Sequence, residues 1–230
     1  AGGIPPLVAL VRDGRTEEQK ENAAGALWNL AANDDDANRA SIASAGGIPP
    51  LVALVRNGTM ENQKQNAAGA LGNLTNNAAN RAAIAAAGGI PPLVALVRDG
   101  GTEEQKEYAA DALVTLAADN ATNRAAIARA GGIPPLVALV RNGTTGEQKR
   151  NAAEALWTLA DDNDANKEAI VFAGGIRPLM TLVRDGTTEY QKRYAARALS
   201  HFTDNEDWRK STRVEIRLLV DAATGRVDCD

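Results

Sequence analysis

The chain has 230 residues, of which 44% are hydrophobic, 23% are charged and only 3% are aromatic. The formal net charge of −4 and the pI near 5.2 argue against a nucleic-acid-binding surface, and the apolar share is too high for a disordered chain. Because aromatic residues are scarce, Ala, Leu, Ile and Val must form the core, which favours closely packed helices. No apolar run approaches the roughly 18 residues of a membrane-spanning helix.

The single cysteine, Cys229, excludes an internal disulfide framework and a cysteine-rich zinc site. It favours a reducing compartment, the cytoplasm or the nucleus. The chain starts AGGIPPLVAL, without Met or a basic leader, and reads as a segment of a longer protein. Phosphate-binding loops, GxSxG, HExxH and dinucleotide motifs are missing, so we expect no enzyme, no catalytic residue, no cofactor, no metal site and no membrane partner.

An internal repeat dominates the sequence. The block GGIPPLVALVR begins at Gly2, Gly46, Gly88 and Gly131, and the variant GGIRPLMTLVR begins at Gly174, at spacings of 42 to 44 residues. A period of this size indicates one supersecondary unit copied five times, in which each copy buries its apolar face against its neighbours. The repeat therefore predicts an all-α solenoid.

The first two helices of each repeat are marked by their end residues. A short helix begins at Asn38 as N-cap, contains Ile42, and stops at Gly46. The next helix carries proline in its first turn, where the missing N–H costs nothing, and ends at Asn57 and Gly58. The expected N-caps of the other short helices are Asn80, Asn123 and Asn166.

The third helix is the longest. Thr16 and Gln19 form a capping box ahead of NAAGALWNLAAN, and Ala23, Leu27 and Leu30 follow at helical spacing as a core stripe. The box recurs at Thr102/Gln105, Thr145/Gln148 and Thr188/Gln191, with Met60 in place of threonine in the second repeat. Each repeat of about 43 residues is therefore expected to contain three helices.

The wording NRxxIxxAGGIPPLVxLVR followed by QKxNAAxALxNL, over residues 1–208, resembles armadillo-repeat proteins. It is especially similar to the armadillo repeats that accompany U-box ubiquitin ligases in plants. The resemblance implies a right-handed α-solenoid with three helices per repeat. The verbatim GGIPPLVALVR block indicates either recent duplication or a consensus-derived, engineered array, and the sequence leaves both open.

The two ends depart from the repeat. Because the first repeat lacks its first helix, Leu7 and Leu10 lose a covering neighbour, and we expect them to allow self-association. In the last residues, Val214, Ile216 and Val220 fit a helix or a strand; we favour a capping segment over a frayed tail. The predicted division is repeat 1 at 1–37, repeats 2 to 5 at 38–79, 80–122, 123–165 and 166–208, and a divergent C-terminal cap or tail at 209–230.

Function is expected on the third-helix face that varies between repeats. In armadillo proteins this face lines a concave groove that holds an extended peptide, so the resemblance implies a protein or peptide partner. Trp28 and Trp157 lie at the shoulder of the groove, where they either pack between repeats or touch the ligand. The candidate groove residues are Asn22, Asn29, Asn66, Asn73, Tyr108, Asp111, Thr115, Asn151, Glu154, Thr158, Tyr194, Arg197 and His201.

The composition of this face refines the expectation. Importin-α-like arrays use a late asparagine in each third helix, and only Asn29 and Asn73 match it, while the tryptophan expected four residues earlier is absent; a nuclear-localisation-signal receptor is therefore disfavoured. The face also carries five acidic residues: Glu104, Asp111, Glu147, Glu154 and Asp161. Their charge either favours partners that contain Lys or Arg or only keeps the helices soluble. The alternatives are the substrate-recognition part of a larger ubiquitin ligase and an engineered or structural scaffold without a natural ligand.

Overall fold

The computed structural model describes residues 2–32, 36–203 and 210–224, so Cys229 lies outside the described residues. Within these ranges every regular element is an α-helix. The chain forms two compact units, residues 1–116 and 117–230. The first contains α1 (Ile4–Asp13), α2 (Glu17–Ala32), α3 (Asp36–Ser44), α4 (Ile48–Asn57), α5 (Glu61–Leu74), α6 (Ala78–Ala86), α7 (Ile90–Asp99) and α8 (Glu103–Ala117). The second contains α9 (Ala121–Arg129), α10 (Ile133–Asn142), α11 (Gly146–Ala160), α12 (Asp164–Phe172), α13 (Ile176–Asp185), α14 (Glu189–Ser200) and α15 (Lys210–Thr224).

Within each unit, the equivalent helices of successive repeats pack on one another. In the first unit, α1, α4 and α7 pack in series as the second helices of successive repeats, and α2 packs along α5 as the third helices do. In the second unit, α10 packs on α13 and α11 packs along α14. The second helices α1, α4, α10 and α13 also pack against the third helices of their own repeats, α2, α5, α11 and α14.

The predicted N-caps of the short helices were wrong by three residues. The caps are Asn77, Asn120 and Asn163, whose side-chain oxygens accept hydrogen bonds from backbone N–H groups in the first turn. The asparagines that we expected there, Asn80, Asn123 and Asn166, lie inside the helices and are buried. Both asparagines of each pair satisfy the local cap pattern, and only tertiary packing distinguishes them.

The buried asparagines link helices instead of capping them. Asn80 donates from Nδ2 to the carbonyl of Arg39 at 3.3 Å, and Asn166 donates to the carbonyl of Leu159 at 2.8 Å. The neighbouring Arg81 donates to the carbonyl of Thr75 at 2.9 Å, at the C-terminal end of α5. A buried amide that finds a carbonyl partner avoids the cost of an unsatisfied polar group.

The glycine pairs end the short helices as predicted. Gly46 has φ of +75°, a region that side chains rarely adopt, and its N–H bonds to the carbonyl of Ala43 at 2.9 Å. At Gly47 a Cβ would come within 2.8 Å of the Cγ2 of Ile42, so the second glycine is needed for close packing. The chain can therefore turn directly into the proline-containing α4.

Third helices are joined through their capping glutamines. The N–H of Gln19 donates to the Oγ1 of Thr16 at 3.1 Å, and the equivalent bond forms in the third, fourth and fifth repeats. The glutamine side chain accepts from the N–H of the threonine in the first and fourth repeats, and from the residue before the threonine in the third and fifth. The side-chain amide then reaches the preceding repeat: Gln63 donates to the carbonyl of Glu17, and Gln105 to the carbonyl of Glu61, both at 2.8 Å. One glutamine thus caps its own helix and also fixes that helix against the third helix of the preceding repeat.

The core is aliphatic and dominated by alanine, as the composition predicted. Ala23 and Leu27 of the core stripe are buried, whereas Leu30 is only half-buried, unlike its counterparts Leu74 and Leu116. No single helix among the described residues is long and apolar enough to cross a membrane; α6 and α7 together have the composition for it but are bent by 83°.

The ends of the chain differ in how they are covered. Residues 210–224 form a helix rather than a strand, and α15 packs against α13 and α14 with Ile216 and Val220 buried. At the other end Leu10 is 40% exposed, against 7% for its counterpart Leu54. Self-association through this edge stays a prediction.

We expect Leu113→Ala to lower the free energy of unfolding by about 2–5 kcal/mol, because Leu113 is 1% exposed on α8 and its truncation leaves a cavity. Urea denaturation followed by circular dichroism measures the loss. The control is Leu218→Ala on α15, where the side chain is 65% exposed. A loss below about 0.5 kcal/mol for Leu113→Ala would show that the helix phase is wrong.

Met60→Thr should stabilise the chain by about 1 kcal/mol. The N–H of Met60 already donates to the Oε1 of Gln63 at 3.3 Å, but in return the thioether offers the N–H of Gln63 only a weak sulfur acceptor. Threonine would complete the box that the other repeats form. Met60→Ala is the matched control, since it removes the thioether without adding an acceptor; equal stability of the two variants in urea denaturation would refute the prediction.

Candidate functional site

The candidate groove residues lie on the third helices, and their exposure varies. In the first unit Asn22 and Asn29 are exposed, whereas the remaining candidates are half-buried: Asn66, Asn73, Tyr108, Asp111 and Thr115. In the second unit Asn151 is buried, with 2% exposure. The other candidates there are half-buried: Glu154, Thr158, Tyr194, Arg197 and His201.

The asparagines of α5 are used between repeats. Asn66 donates from Nδ2 to the carbonyl of Glu21 at 3.2 Å, and Asn73 donates to the carbonyl of Trp28 at 3.3 Å. Both bonds join α5 to α2. By contrast, the side chains of Asn22 and Asn29 form no hydrogen bond within the part of the chain that the structure describes, so their amides are open to a ligand.

An aromatic pair spans the face of the first unit. The rings of Trp28 and Tyr108 meet edge to face, with centroids 4.8 Å apart, although they belong to the first and third repeats. They can meet because Gly69 in the intervening repeat has no side chain; a Cβ there would lie 2.7 Å from the Cε2 of Trp28. The indole therefore lies across α5. Such a pair is worth roughly 0.5–1.5 kcal/mol beyond the area that it buries.

Acidic residues surround this pair. Burial is the main cause that raises the pKa of Tyr108, and the carboxylates of Glu107 and Glu104 raise it further. The phenol is therefore neutral at physiological pH and remains a hydrogen-bond donor. Asp111 follows one turn later on the same helix, so α8 presents a concentration of negative charge beside the aromatic rings.

The second unit carries a different arrangement, with cations stacked on rings. Trp157 and Tyr194 have centroids 6.2 Å apart. The guanidinium of Arg197 lies 5.0 Å from the indole centroid, and that of Arg193 lies 4.8 Å from the ring of Tyr190. Both guanidiniums also lie 5.6 Å from the ring of Tyr194. Neither arginine forms an ion pair with a described residue.

The acidic residues of α11 are paired internally. Arg150 bonds to Glu147 at 2.7 Å and to Glu154 at 3.3 Å. Burial raises the pKa of Tyr194, and Glu154, which accepts a hydrogen bond from its hydroxyl, raises it further. The expected negative character of this unit is therefore largely compensated by residues of the same face.

His201 lies at the C-terminal end of α14. Burial lowers its pKa, against the opposing charge of Asp161, so the ring is neutral at physiological pH. Its buried Nε2 forms no hydrogen bond with any described residue. No group of three His, Cys, Asp or Glu side chains in residues 2–32, 36–203 and 210–224 is arranged to hold a metal ion.

The threonine candidates bond to nearby groups. Thr158 donates to the carbonyl of Glu154 at 3.0 Å, and the hydroxyl of Thr115 meets that of Thr75 in the preceding repeat. Sequence reasoning missed Thr75, which is buried, and the stacked Arg193. The signal for Arg193 was present, because its column reverses charge along the chain: Glu21, Gln65, Glu107, Arg150 and Arg193.

Comparison with known proteins identifies the family. The profile of the Armadillo/beta-catenin-like repeat matches residues 1–32, 35–76, 77–118 and 120–161. The chain belongs to the armadillo-repeat family. Together with the helices described above, this membership confirms the predicted all-α solenoid. The exact division into six segments stays a prediction.

Solved structures of the same fold include engineered proteins. An engineered protein is 27% identical, with a TM-score of 0.82 and coverage of 98% of both chains. A computationally designed armadillo repeat protein for modular peptide recognition is 23% identical, with a TM-score of 0.82 and coverage of 95% of this chain and 99% of that one. A designed armadillo repeat protein in complex with the peptide (KR)4 is 22% identical, with a TM-score of 0.80 and coverage of 99% and 92%. No curated protein sequence matches the armadillo chain.

We expect Gly69→Ala to separate Trp28 from Tyr108, because the new methyl group would overlap the indole. In a background with Trp157→Phe and Trp208→Phe, the emission of Trp28 should move to longer wavelength as the ring enters water. The near-UV circular dichroism should weaken at the same time.

Gly25→Ala is the control for this variant. Its Cβ would meet only the side-chain amide of Asn66, at 3.1 Å, and it makes the same helix-favouring change. Spectra of Gly69→Ala that match those of Gly25→Ala would contradict the proposed role of the glycine.

Proposed function

We propose that the chain is a non-enzymatic peptide-binding scaffold whose third-helix faces receive an extended segment of a partner protein. The observation that carries the proposal is the face of α2, α5 and α8, where open amides and an aromatic pair lie above a closed aliphatic core. Asn22 and Asn29 offer a donor and an acceptor each to a peptide backbone. Trp28 and Tyr108 offer a rigid apolar surface for side chains.

The groove proposal covers both units. In the first it includes Asn66, Asn73, Asp111 and Thr115, and in the second it includes Asn151, Glu154, Thr158, Tyr194, Arg197 and His201, with Trp28 and Trp157 as flanking rings. The designed armadillo structures named for peptide recognition, one of them holding (KR)4, support a peptide-binding role. For the exposed and half-buried residues of this set the proposed roles rest on exposure and chemistry; Asn151, with 2% exposure, is the least able to touch a peptide.

A preference for Lys or Arg rests on the first unit. Glu104 is exposed and Asp111 is half-buried on α8, and their charge favours a cationic side chain beside Trp28 and Tyr108. In the second unit Glu147 and Glu154 are already bonded to Arg150, so they contribute little to this preference. The basic residues of the partner therefore bind along α8.

Fluorescence anisotropy with labelled ten-residue peptides, one basic, one neutral and one acidic, tests the proposal. We expect the basic peptide to bind most tightly and its affinity to fall as salt is added, because salt screens exposed charges. Glu104→Lys combined with Asp111→Lys should weaken it at least about tenfold, the effect of roughly 1.4 kcal/mol.

The matched control is Asp164→Lys combined with Glu168→Lys, which also replaces two acids by two lysines, on the exposed surface of α12. Its affinity for the basic peptide should stay within about twofold of the parent chain. Equal weakening by the control and by the α8 variant would locate the effect in net charge rather than in the groove.

Failure of all three peptides would instead support a structural scaffold. Near-verbatim repetition and the likeness to an engineered protein favour that second candidate. A structural role predicts no saturable binding by any peptide, together with the same stability as the parent for the α8 variant. The anisotropy experiment thus separates the two functions.

A further inference from the structure

A cleft in the second unit lies between the second helices α10 and α13, away from the third-helix face. Its volume is about 530 Å³. Its walls combine apolar side chains with cations: Val140, Pro178, Leu182, Arg141, Lys149 and Arg177. Asp185 is the one acidic residue among its lining side chains, and it bonds to Arg184 at 3.2 Å.

The first unit offers an internal comparison. A cleft of about 340 Å³ occupies the equivalent position between α4 and α7. It is lined by two cations, Arg56 and Lys64, and by two acids, Glu61 and Asp99. Two cations therefore face two acids in the first unit, whereas three cations face one acid in the second; the aspartate of each cleft, Asp99 or Asp185, bonds to the arginine before it.

Two departures from the repeat cause this difference, and both act in the same direction. Arg177 occupies the column in which the other repeats have the first proline, such as Pro91, and adds a cation to the cleft. Gly146 occupies the column of Glu61 and removes an acid. Arg177 lies on the second helix α13, and Gly146 is the first residue of α11; neither is among the candidate groove residues.

The three cations of the cleft have no counter-ion. In the first unit Arg56 donates to the carbonyl of Gly88 at 3.2 Å. The side chain of its counterpart Arg141 forms no hydrogen bond or ion pair within the described part of the chain, and the same holds for the side chains of Lys149 and Arg177. Neighbouring like charges repel one another, and a bound anion relieves that repulsion.

We propose that the cleft between α10 and α13 binds an oxyanion, a carboxylate or a phosphate, that is attached to an apolar group. The cations contact the oxyanion, and guanidinium groups suit it because two parallel N–H donors match two oxygens. The apolar part lies against the buried side chains of Pro178 and Leu182. This site is separate from the peptide-binding faces and does not depend on the proposed function.

NMR titration of the full chain with phenyl phosphate and with benzoate tests the site. Saturable chemical-shift changes are expected at the amides of Gly174 and Arg177. In the first unit, Gly88 and the residues on either side of Pro91 occupy the equivalent positions, and their amides should shift only slightly. The tighter of the two probes identifies the oxyanion. Inorganic phosphate and benzyl alcohol should each bind at least about tenfold more weakly, because each lacks one half of the ligand.

Variants that restore the repeat's own sequence give the matched test. Arg177→Pro should weaken the binding of the tighter probe, phenyl phosphate or benzoate, about tenfold. Gly146→Glu should also weaken this binding, since each variant returns one column to the residue that the other repeats share. The reverse pair, Pro91→Arg with Glu61→Gly, should create saturable binding in the first unit. Thermal denaturation shows whether each variant is folded.

The proposal is overturned if Arg177→Pro is folded and binds both probes as tightly as the parent chain. It is equally overturned if the shifts are spread over exposed Lys and Arg residues of the whole chain without saturation. Binding of benzyl alcohol as tight as that of phenyl phosphate would remove the role of the cations. Binding by the reverse pair supports the assignment independently of any loss of stability.

Discussion

The close approach of successive third helices underlies the other features of the protein. Alanines such as Ala23, Ala67 and Ala68 fill the contact between α2 and α5, and they are almost completely buried. Small side chains let helices pack at short distance. As a result, the amides of Gln63 and Asn66 can reach backbone carbonyls of the preceding repeat. Larger side chains between the helices would move these carbonyls out of hydrogen-bonding distance.

The same packing explains why the repeat keeps some polar columns constant and leaves others free. Gln63 and Gln105 are buried, and each bonds both to its own helix start and to the repeat before it, so replacement would leave buried groups unsatisfied. Exposed positions such as Asn22 and Glu104 have no such duty. Exposed positions on the third-helix face, where we propose that a peptide binds, can therefore vary without changing the stack.

Departures from the repeat are informative because the remaining copies act as internal references. Gly69 allows Trp28 to cross to Tyr108, and Arg197, in the same column, stacks on Trp157 instead. One position thus produces an apolar contact in the first unit and a cationic one in the second. Similarly, Arg177 alters the charge of a cleft that recurs at the equivalent position in the first unit.

Sequence by itself determined the period, the three helices, the capping boxes and the aliphatic core, because caps and helical spacing act over a few residues. It could not choose between Asn77 and Asn80 as a cap, since both suit the local pattern and only burial against Arg39 decides. The contact of Trp28 with Tyr108 and the three-cation cleft likewise depend on the tertiary structure. Residues from different repeats meet there, and their distance in space is independent of local propensity.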